Sequence, residues 1–566
     1  MQTSALPSLR TLILWALLIF ALTSVVGLGA RPLAVPDEAR YGAIPSEMLQ
    51  SGDWISLKLG GFRWLEKPPL SMWMIAASEW AFGENAFAIR LPSALSSLLA
   101  AACVGWAAAR ITGRPRVGPL AFAVQATMIG PVVFGTVAIT DPAFTAFLTL
   151  TMTAFLGACT SAGRKRLGWL AFTGVAAGLA FLCKGFLAFA LPGFAALLYL
   201  LVQRRFRDLL TMPWVPLACA AALITPWAIA IHRREPHFWD FFINVVHLRR
   251  AMKPDGIQHP EPWWLYVVLL PALGLFWTLL WPKAFAHMGR VRAWKDGVHF
   301  ALAWLLGPLL VLSASSGKLP TYMLPLFPPL SLLITLGLVQ AFEGGALRAG
   351  RVELFANLLL RATAVVAVAL ALFGQGWLGI PALWSEHPSV RWGVLALALA
   401  AWSRVDVWSW RAPNVESWLL RTASAPVLML ACIPFLFPDA LLQVSRHPWP
   451  LLEAHRSELQ SSTTVISNSP FAHAVIWMTD RRDLLITGWW GEFDNQIDLP
   501  DDRARLVPPS NLGATIEARL AATPQASVTL VTSPGDADVL LSSHPLPAPT
   551  VRDDRGDVAV LVWRAP

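Results

Sequence analysis

Six short segments place ionisable side chains beside long apolar runs, and their residue types suggest carboxylate and phosphate chemistry. Pro36-Asp37-Glu38-Ala39-Arg40-Tyr41 sets a carboxylate, a guanidinium and a phenol within five positions. Asp37 can cap a short helix with Glu38 complementing its dipole, or can face a reacting sugar at a membrane–water boundary; both can hold at once. In Trp64-Leu65-Glu66-Lys67-Pro68-Pro69-Leu70, Lys67 can snorkel at a helix start or bind a lipid phosphate as a point charge. Thr140-Asp141-Pro142 reads equally as a helix cap with proline at the first position or as part of a site. Lys184, between two apolar runs in Leu182-Cys183-Lys184-Gly185-Phe186, needs a reason, and a phosphate anion supplies one. Lys318-Leu319-Pro320-Thr321-Tyr322 has the same character. His247, in Phe241–Arg250, is by itself an ordinary structural or solvated histidine, although Glu66 could join it at a metal; that pattern is far weaker than CxxC or HExxH. The sequence contains no P-loop, no GxGxxG opening a helix and no GxSxG, so nucleotide-driven transport and serine hydrolysis are unsupported.

The elements that must position these residues are membrane helices. Of 566 residues, 55% are hydrophobic and 14% charged, and the mean hydropathy is +0.54. That composition excludes a soluble globular chain, with its quarter or so of charged residues, and a disordered one. The 28 Trp and 29 Phe against 4 Tyr suit a chain with many bilayer interfaces. A spanning helix needs about 20 apolar residues. Such runs predict thirteen spans, at 11–30, 90–109, 117–136, 142–160, 167–182, 186–202, 213–231, 263–282, 298–315, 322–341, 357–377, 389–403 and 422–438. The first follows a lone Arg10 without a cleavage signature and is expected to be retained. Arginine and lysine concentrate in alternate loops, around 110–116, 164–166, 204–207, 290–295, 348–351 and 404–421, which the positive-inside rule assigns to the cytoplasm.

The opposite face then holds the long connections 31–89 and 232–262 and a tail from 440, giving a transmembrane domain 1–439 and a soluble α/β domain 440–566. Ten arginines and fifteen acidic residues lie in the tail, leaving 34 basic against 20 acidic before it. Leu70–Trp80 is too short to span and is expected to lie along the interface. In the tail, Thr464–Ile466, Leu484–Thr487, Val528–Val531 and Val558–Trp563 predict strands, and Asn511–Ala522 a helix opened by Asn or Ser. The five cysteines lie in or beside apolar segments and form neither a disulfide framework nor a zinc spacing. Asp37, Glu38, Arg40, Tyr41, Glu66, Lys67, Asp141, Lys184, His247, Arg249, Arg250, Lys318 and Tyr322 all fall on the outward face, where they are expected to converge on one chamber.

PDEARY at 36–41, LEKPPL at 65–70, TDPAF at 140–144, CKGFLA at 183–188, the FF…HLRR stretch at 241–250 and GKLPTYMLP at 317–325, in this order, resemble the GT-C membrane glycosyltransferases. Within that class they most resemble the lipid A 4-amino-4-deoxy-L-arabinose transferases, related to the protein mannosyltransferases. The GEFD…LPDD stretch at 491–502 resembles this group less tightly. The resemblance implies a GT-C fold with a periplasmic α/β tail, Asp37 as the essential acidic residue and, with Asp141, the catalytic pair, and Asp141 and Tyr322 near the donor pocket. It further implies Arg40 and Tyr41 lining the cavity, Lys67, Lys184 and Arg250 on the carrier phosphate, and Glu66 and His247 on a structural zinc ion. Lys318 joins the substrate-binding set on its own residue character. The implied reaction moves the aminosugar from undecaprenyl phosphate to a lipid A phosphate at the periplasmic face of the bacterial inner membrane, without a nucleotide, and leads to resistance to polymyxin-like cationic peptides. The alternatives are transfer from a polyprenyl-phosphate sugar to a protein or another glycan, and a lipid transporter. Transporters favour midplane charges and paired repeats, and the sequence has neither.

Overall fold

The computed structural model describes residues 6–249, 260–347, 349–374, 383–384, 387–438, 448–488, 490–496, 500–544 and 546–565. The chain divides into two compact units. The first comprises Met1–Leu28, Glu66–Ser71 and Arg90–Phe437, and the second Gly29–Leu65, Met72–Ile89 and Pro438–Pro566. The last segment of the second unit starts at Pro438, and most of the first long loop belongs to that same unit.

The first unit is helical. Among the described residues, eight of its helices are long and apolar enough to cross a membrane, or ten when two bent pairs each count as one span. The pairs are Val117–Gln125 with Ile129–Gly135, bent by 65°, and Leu265–Leu273 with Thr278–His287, bent by 102°. Leu9–Ser24 and Leu187–Val202 are shorter apolar helices, and Pro388–Ser409 is a helix whose sequence includes Arg391, Arg404 and Asp406. Every one of the thirteen expected runs thus overlaps helix. Pro320–Glu343 is the central element, with 94% of its apolar window buried, whereas Phe206–Arg234 has 17% buried. Small residues set the closest packing: a Cβ on Gly174 would lie 2.2 Å from the Pro216 carbonyl oxygen, so Gly163–Lys184 meets Trp214–Arg234 almost backbone to backbone.

The second unit contains a mixed six-stranded sheet. Chain order runs β1 (Lys58–Leu59) and β2 (Phe62–Arg63), a separate antiparallel ribbon, then β3 (Thr464–Asn468), β4 (Leu485–Thr487), β5 (Leu506–Val507), β6 (Ser527–Thr532), β7 (Val551–Arg555) and β8 (Val558–Arg564). The order across the sheet is β5-β4-β3-β6-β8-β7. β3 to β6 run parallel, β8 is antiparallel to β6, and β7 to β8. The central strands are largely buried on both faces, as strands covered by helices should be. Ile466, Val528, Leu530, Leu561 and Trp563 form the core, each such side chain stabilising by roughly 1.5–3 kcal/mol. All four expected strands are present.

Four strands were not expected: the ribbon β1–β2 and, within the sheet, β5 and β7. β5 is two residues long, and β7 is Val-Arg-Asp-Asp-Arg, mostly exposed at the sheet edge, where charge protects against further pairing. The expected helix is Leu512–Leu520, and Asn511 at its cap position makes no side-chain capping bond.

Candidate active site

In the second unit, PDEARY forms the start of the helix Asp37–Ser51. Pro36, not Asp37, occupies the cap position, so the capping expectation fails and the Asp37 carboxylate is left for Arg40 one turn on, at 2.5 Å. Glu38 is fully buried, bound by both terminal nitrogens of Arg31 at 2.6 and 3.1 Å and by the Ala34 backbone N–H at 2.9 Å. It therefore locks the entry to the helix, a stronger role than the expected dipole partner. Asp37 keeps 53% of its side chain exposed.

Arg40 also donates to Glu492 at 2.8 Å, and its guanidinium lies 4.9 Å from the centre of the Tyr41 ring. Tyr41 meets Trp64 edge-on at 6.1 Å, and the Trp64 indole N–H donates to Glu492 at 2.9 Å. His473 bonds the other oxygen of Glu492 through Nε2. Burial pushes the Glu492 carboxyl up, but the charges of Arg40 and His473, with the hydrogen bonds of His473 and Trp64, outweigh it and hold the group far below the usual carboxylate range. The helix Asp37–Ser51 packs on Ser469–Thr479, and Gly42 makes the approach possible: a Cβ there would sit 2.6 Å from the Trp477 ring.

In the first unit, Asp141, Lys184 and Tyr322 come together. Lys184 ends the helix Gly163–Lys184, and Gly185 at φ 82°, ψ −146° turns the chain sharply, a conformation suited to glycine. Its ammonium meets Asp141 at 2.5 Å, with 9% of each side chain exposed, and stands 4.0 Å from the centre of the Tyr322 ring. Asp141 lies inside the first turn of Thr140–Cys159, whose cap position is Ile139, so this aspartate too pairs rather than caps.

Lys318 is 3% exposed and donates to the carbonyls of Glu261, at 3.0 Å, and Ser315, just past the helix Lys295–Ala314. Two of its three donors hold backbone. Glu66 is buried, and Lys67 is half-buried with interactions of its own. The backbone of His247 lies in the π-helical segment Phe241–Arg249; its side chain and all of Arg250 fall outside the described residues. Among the described residues no group of three or more His, Cys, Asp or Glu side chains could hold a metal ion. Glu66 and His247 would together fill two positions of a four-coordinate zinc site.

Glu492 and His473 were not among the candidate site residues, although Glu492 stands in the GEFD stretch at 491–494 already noted in the tail. For His473, a lone histidine in the apolar run Phe471-Ala472-His473-Ala474-Val475 was the available signal.

The fold is that of a GT-C membrane glycosyltransferase. The crystal structures of ArnT from Cupriavidus metallidurans, bound to undecaprenyl phosphate and in the apo state, match with TM-scores of 0.74 and 0.76, each over 97% of both chains, at 21% and 20% identity. The profile described as dolichyl-phosphate-mannose-protein mannosyltransferase matches residues 9–242, and that of the arabinosyl transferase ArnT C-terminal domain matches 444–562. A relative from Pseudomonas savastanoi pv. phaseolicola is 34% identical over 508 residues, 88% of this chain and 91% of its own. One from Serratia proteamaculans is 34% identical over 509 residues, 88% of this chain and 89% of its own. The chain belongs to the family these two relatives share, the undecaprenyl phosphate-α-4-amino-4-deoxy-L-arabinose arabinosyl transferases, and is a glycosyltransferase.

Proposed function

We propose that the protein transfers 4-amino-4-deoxy-L-arabinose from undecaprenyl phosphate to a lipid A phosphate at the periplasmic face of the inner membrane. Thirteen spans would carry transmembrane domain 1–439, with 440–566 as a periplasmic domain. The observation that carries the reading is the Asp37 carboxylate, exposed yet fixed at 2.5 Å by Arg40 within the motif that names the family resemblance. The anomeric carbon–oxygen bond to undecaprenyl phosphate breaks with its electron pair on the departing phosphate, and a lipid A phosphate oxygen forms the new bond from the opposite side, inverting the centre. The acceptor phosphate is already ionised near neutral pH, so Asp37 has little proton to remove. It instead orients the attack or pairs with the sugar's ammonium.

Lys67, Lys184 and Arg250 would offset charge developing on the leaving phosphate, the electrostatic contribution that is usually largest. An ammonium has three donors, and Asp141 takes one from Lys184, so the pair can hold the lysine in place while it meets an anion. Arg40 and Tyr41 would line the sugar's side, with Lys318 and Tyr322 bracing the donor pocket. In the same proposal Glu66 and His247 share a structural zinc ion, which elemental analysis of the purified protein tests. Adding a cationic sugar lowers the negative charge that draws cationic peptides to the outer membrane, and polymyxin resistance follows.

The test is transfer by the full chain in vesicles, from undecaprenyl-phosphate aminoarabinose to lipid A, read by mass spectrometry. Wild type should add one aminosugar. Asp37→Asn should lose about 100-fold or more in turnover while folding normally. Near-wild-type turnover would refute the role of Asp37, and transfer to some acceptor other than lipid A would replace the acceptor.

A further inference from the structure

The Asp37–Arg40 pair does not stand alone in the second unit. Arg40 grips Asp37 with one terminal nitrogen at 2.5 Å and Glu492 with the other at 2.8 Å. Exposure falls along this chain: 53% for the Asp37 side chain, 15% for Arg40, 10% for Glu492 and 3% for His473. Glu492 is the junction. Its Oε2 accepts from Arg40 and from the Trp64 indole, and its Oε1 meets His473. Each group fixed to it is itself confined, Trp64 by Tyr41 and His473 by the Phe493 ring at 5.5 Å. A long, flexible guanidinium held at only one end would sweep through many rotamers, whereas one anchored at a buried carboxylate presents its second nitrogen in a fixed place.

The location in the tail fits this use. Glu492 lies in the segment that follows β4, and His473 lies on the helix that follows β3. Both therefore come from connections at the carboxyl ends of parallel strands, where open α/β sheets characteristically present their functional groups.

We infer that Glu492 is a positioning residue for the transfer reaction, fixing the Arg40 guanidinium and through it the Asp37 carboxylate, so that the C-terminal domain contributes to the chemistry of a motif more than four hundred residues earlier. The inference rests on the transfer proposed above. Glu492 touches no reacting atom in it, and His473 and Trp64 hold Glu492 in turn. No bond to substrate is made or broken by the tail, whose contribution is orientation.

The experiment uses the full chain in the same vesicle assay. Glu492→Ala should lower kcat about 10- to 100-fold, with KM for the lipid donor changed no more than about threefold, because orientation is lost and donor binding is not. Glu492→Gln keeps an oxygen that can accept from Arg40 and Trp64 and should recover most of kcat. The deciding measurement is a cycle with Arg40. If Glu492 acts through Arg40, Arg40→Ala and Arg40→Ala/Glu492→Ala turn over equally. Losses that multiply, or a wild-type kcat in Glu492→Ala, overturn the inference while wild-type transfer leaves the functional reading standing. A wild type that transfers no aminosugar overturns both. Should Glu492→Ala fail to fold, Glu492→Gln runs the same cycle: its residual loss must vanish in the Arg40→Ala background, and a loss that persists overturns the inference.

Discussion

Asp37 leaves half of its side chain exposed and meets an arginine that is anchored from behind, whereas Asp141 is nine-tenths covered and meets Lys184 against the face of Tyr322. Both pairs are 2.5 Å long, yet they differ in what holds them. An exposed pair contributes about 0–1 kcal/mol, so Asp37 stays where it is because Arg40 is fixed by Glu492, and the fold has little stake in it. A buried pair is held by the penalty of separating it, since either partner alone would be an uncompensated charge. In the second unit, position is thus supplied by a chain of hydrogen bonds, and in the first by burial. Substitutions should therefore separate activity from stability in one unit and lose them together in the other.

Asp141→Asn should have the largest effect. It strands the Lys184 ammonium at 9% exposure, and breaking a buried pair this way costs about 3–5 kcal/mol. Thermal unfolding in detergent should fall well below that of Asp37→Asn, and donor affinity should fall with it. The double variant Asp141→Leu/Lys184→Met should recover much of the stability but none of the donor affinity. If Asp141→Asn unfolds like wild type, the buried pair does not hold this part of the bundle and the contrast between the two carboxylates collapses.

Gly42→Leu acts on the other side of the comparison. Its Cβ would fall within 2.6–3.1 Å of three Trp477 ring atoms, pushing the helix Asp37–Ser51 off Ser469–Thr479. Overpacking of this kind costs about 1–3 kcal/mol. Because the same helix carries Arg40, kcat should fall further than stability alone accounts for, while binding of undecaprenyl phosphate, followed by its protection against heat, should change little. Equal loss of both would place the effect in general unfolding of the unit.

What the sequence disclosed follows the range of each interaction. Asp37, Arg40 and Tyr41 were legible because they share one helical turn, and Lys184 because a charge between apolar runs has few innocent explanations. The capping readings of Asp37 and Asp141 failed because one helix begins at Asp37 itself and the other one residue before Asp141, a boundary error that sequence patterns cannot avoid at single-residue precision. The pairing of Glu492 was not legible, although its GEFD stretch was noted, because its partners Arg40 and Trp64 lie more than four hundred residues away and pairing over that span leaves no local pattern. The 102° bend after Leu273 was equally silent, since an apolar run of the right length reads as one straight span. β7 was hidden by its charges, which belong to an edge and not to a core.

A third acid sharpens the comparison with the smallest expected effect. Glu79, on the helix Leu70–Phe82, is 2% exposed, and neither carboxylate oxygen has a hydrogen-bond partner among the described residues. Burial first, then the charges of Glu84 and Asp480, push its carboxyl up to about 9. A carboxyl raised in the folded state contributes stability while protonated: fully below its ordinary value near 4.5, and progressively less as pH rises through about 9. Glu79→Met, of similar volume and without the stranded oxygens, should therefore stabilise the protein at pH 8 by about 1–3 kcal/mol, with the gain shrinking as pH approaches 4.5. Thermal unfolding of both proteins across that range is the check. A variant less stable than wild type at pH 8 would mean that Glu79 has a cationic partner after all, which would make it a buried pair of the Asp141 kind and remove the distinction between paired and unpaired burial in this molecule.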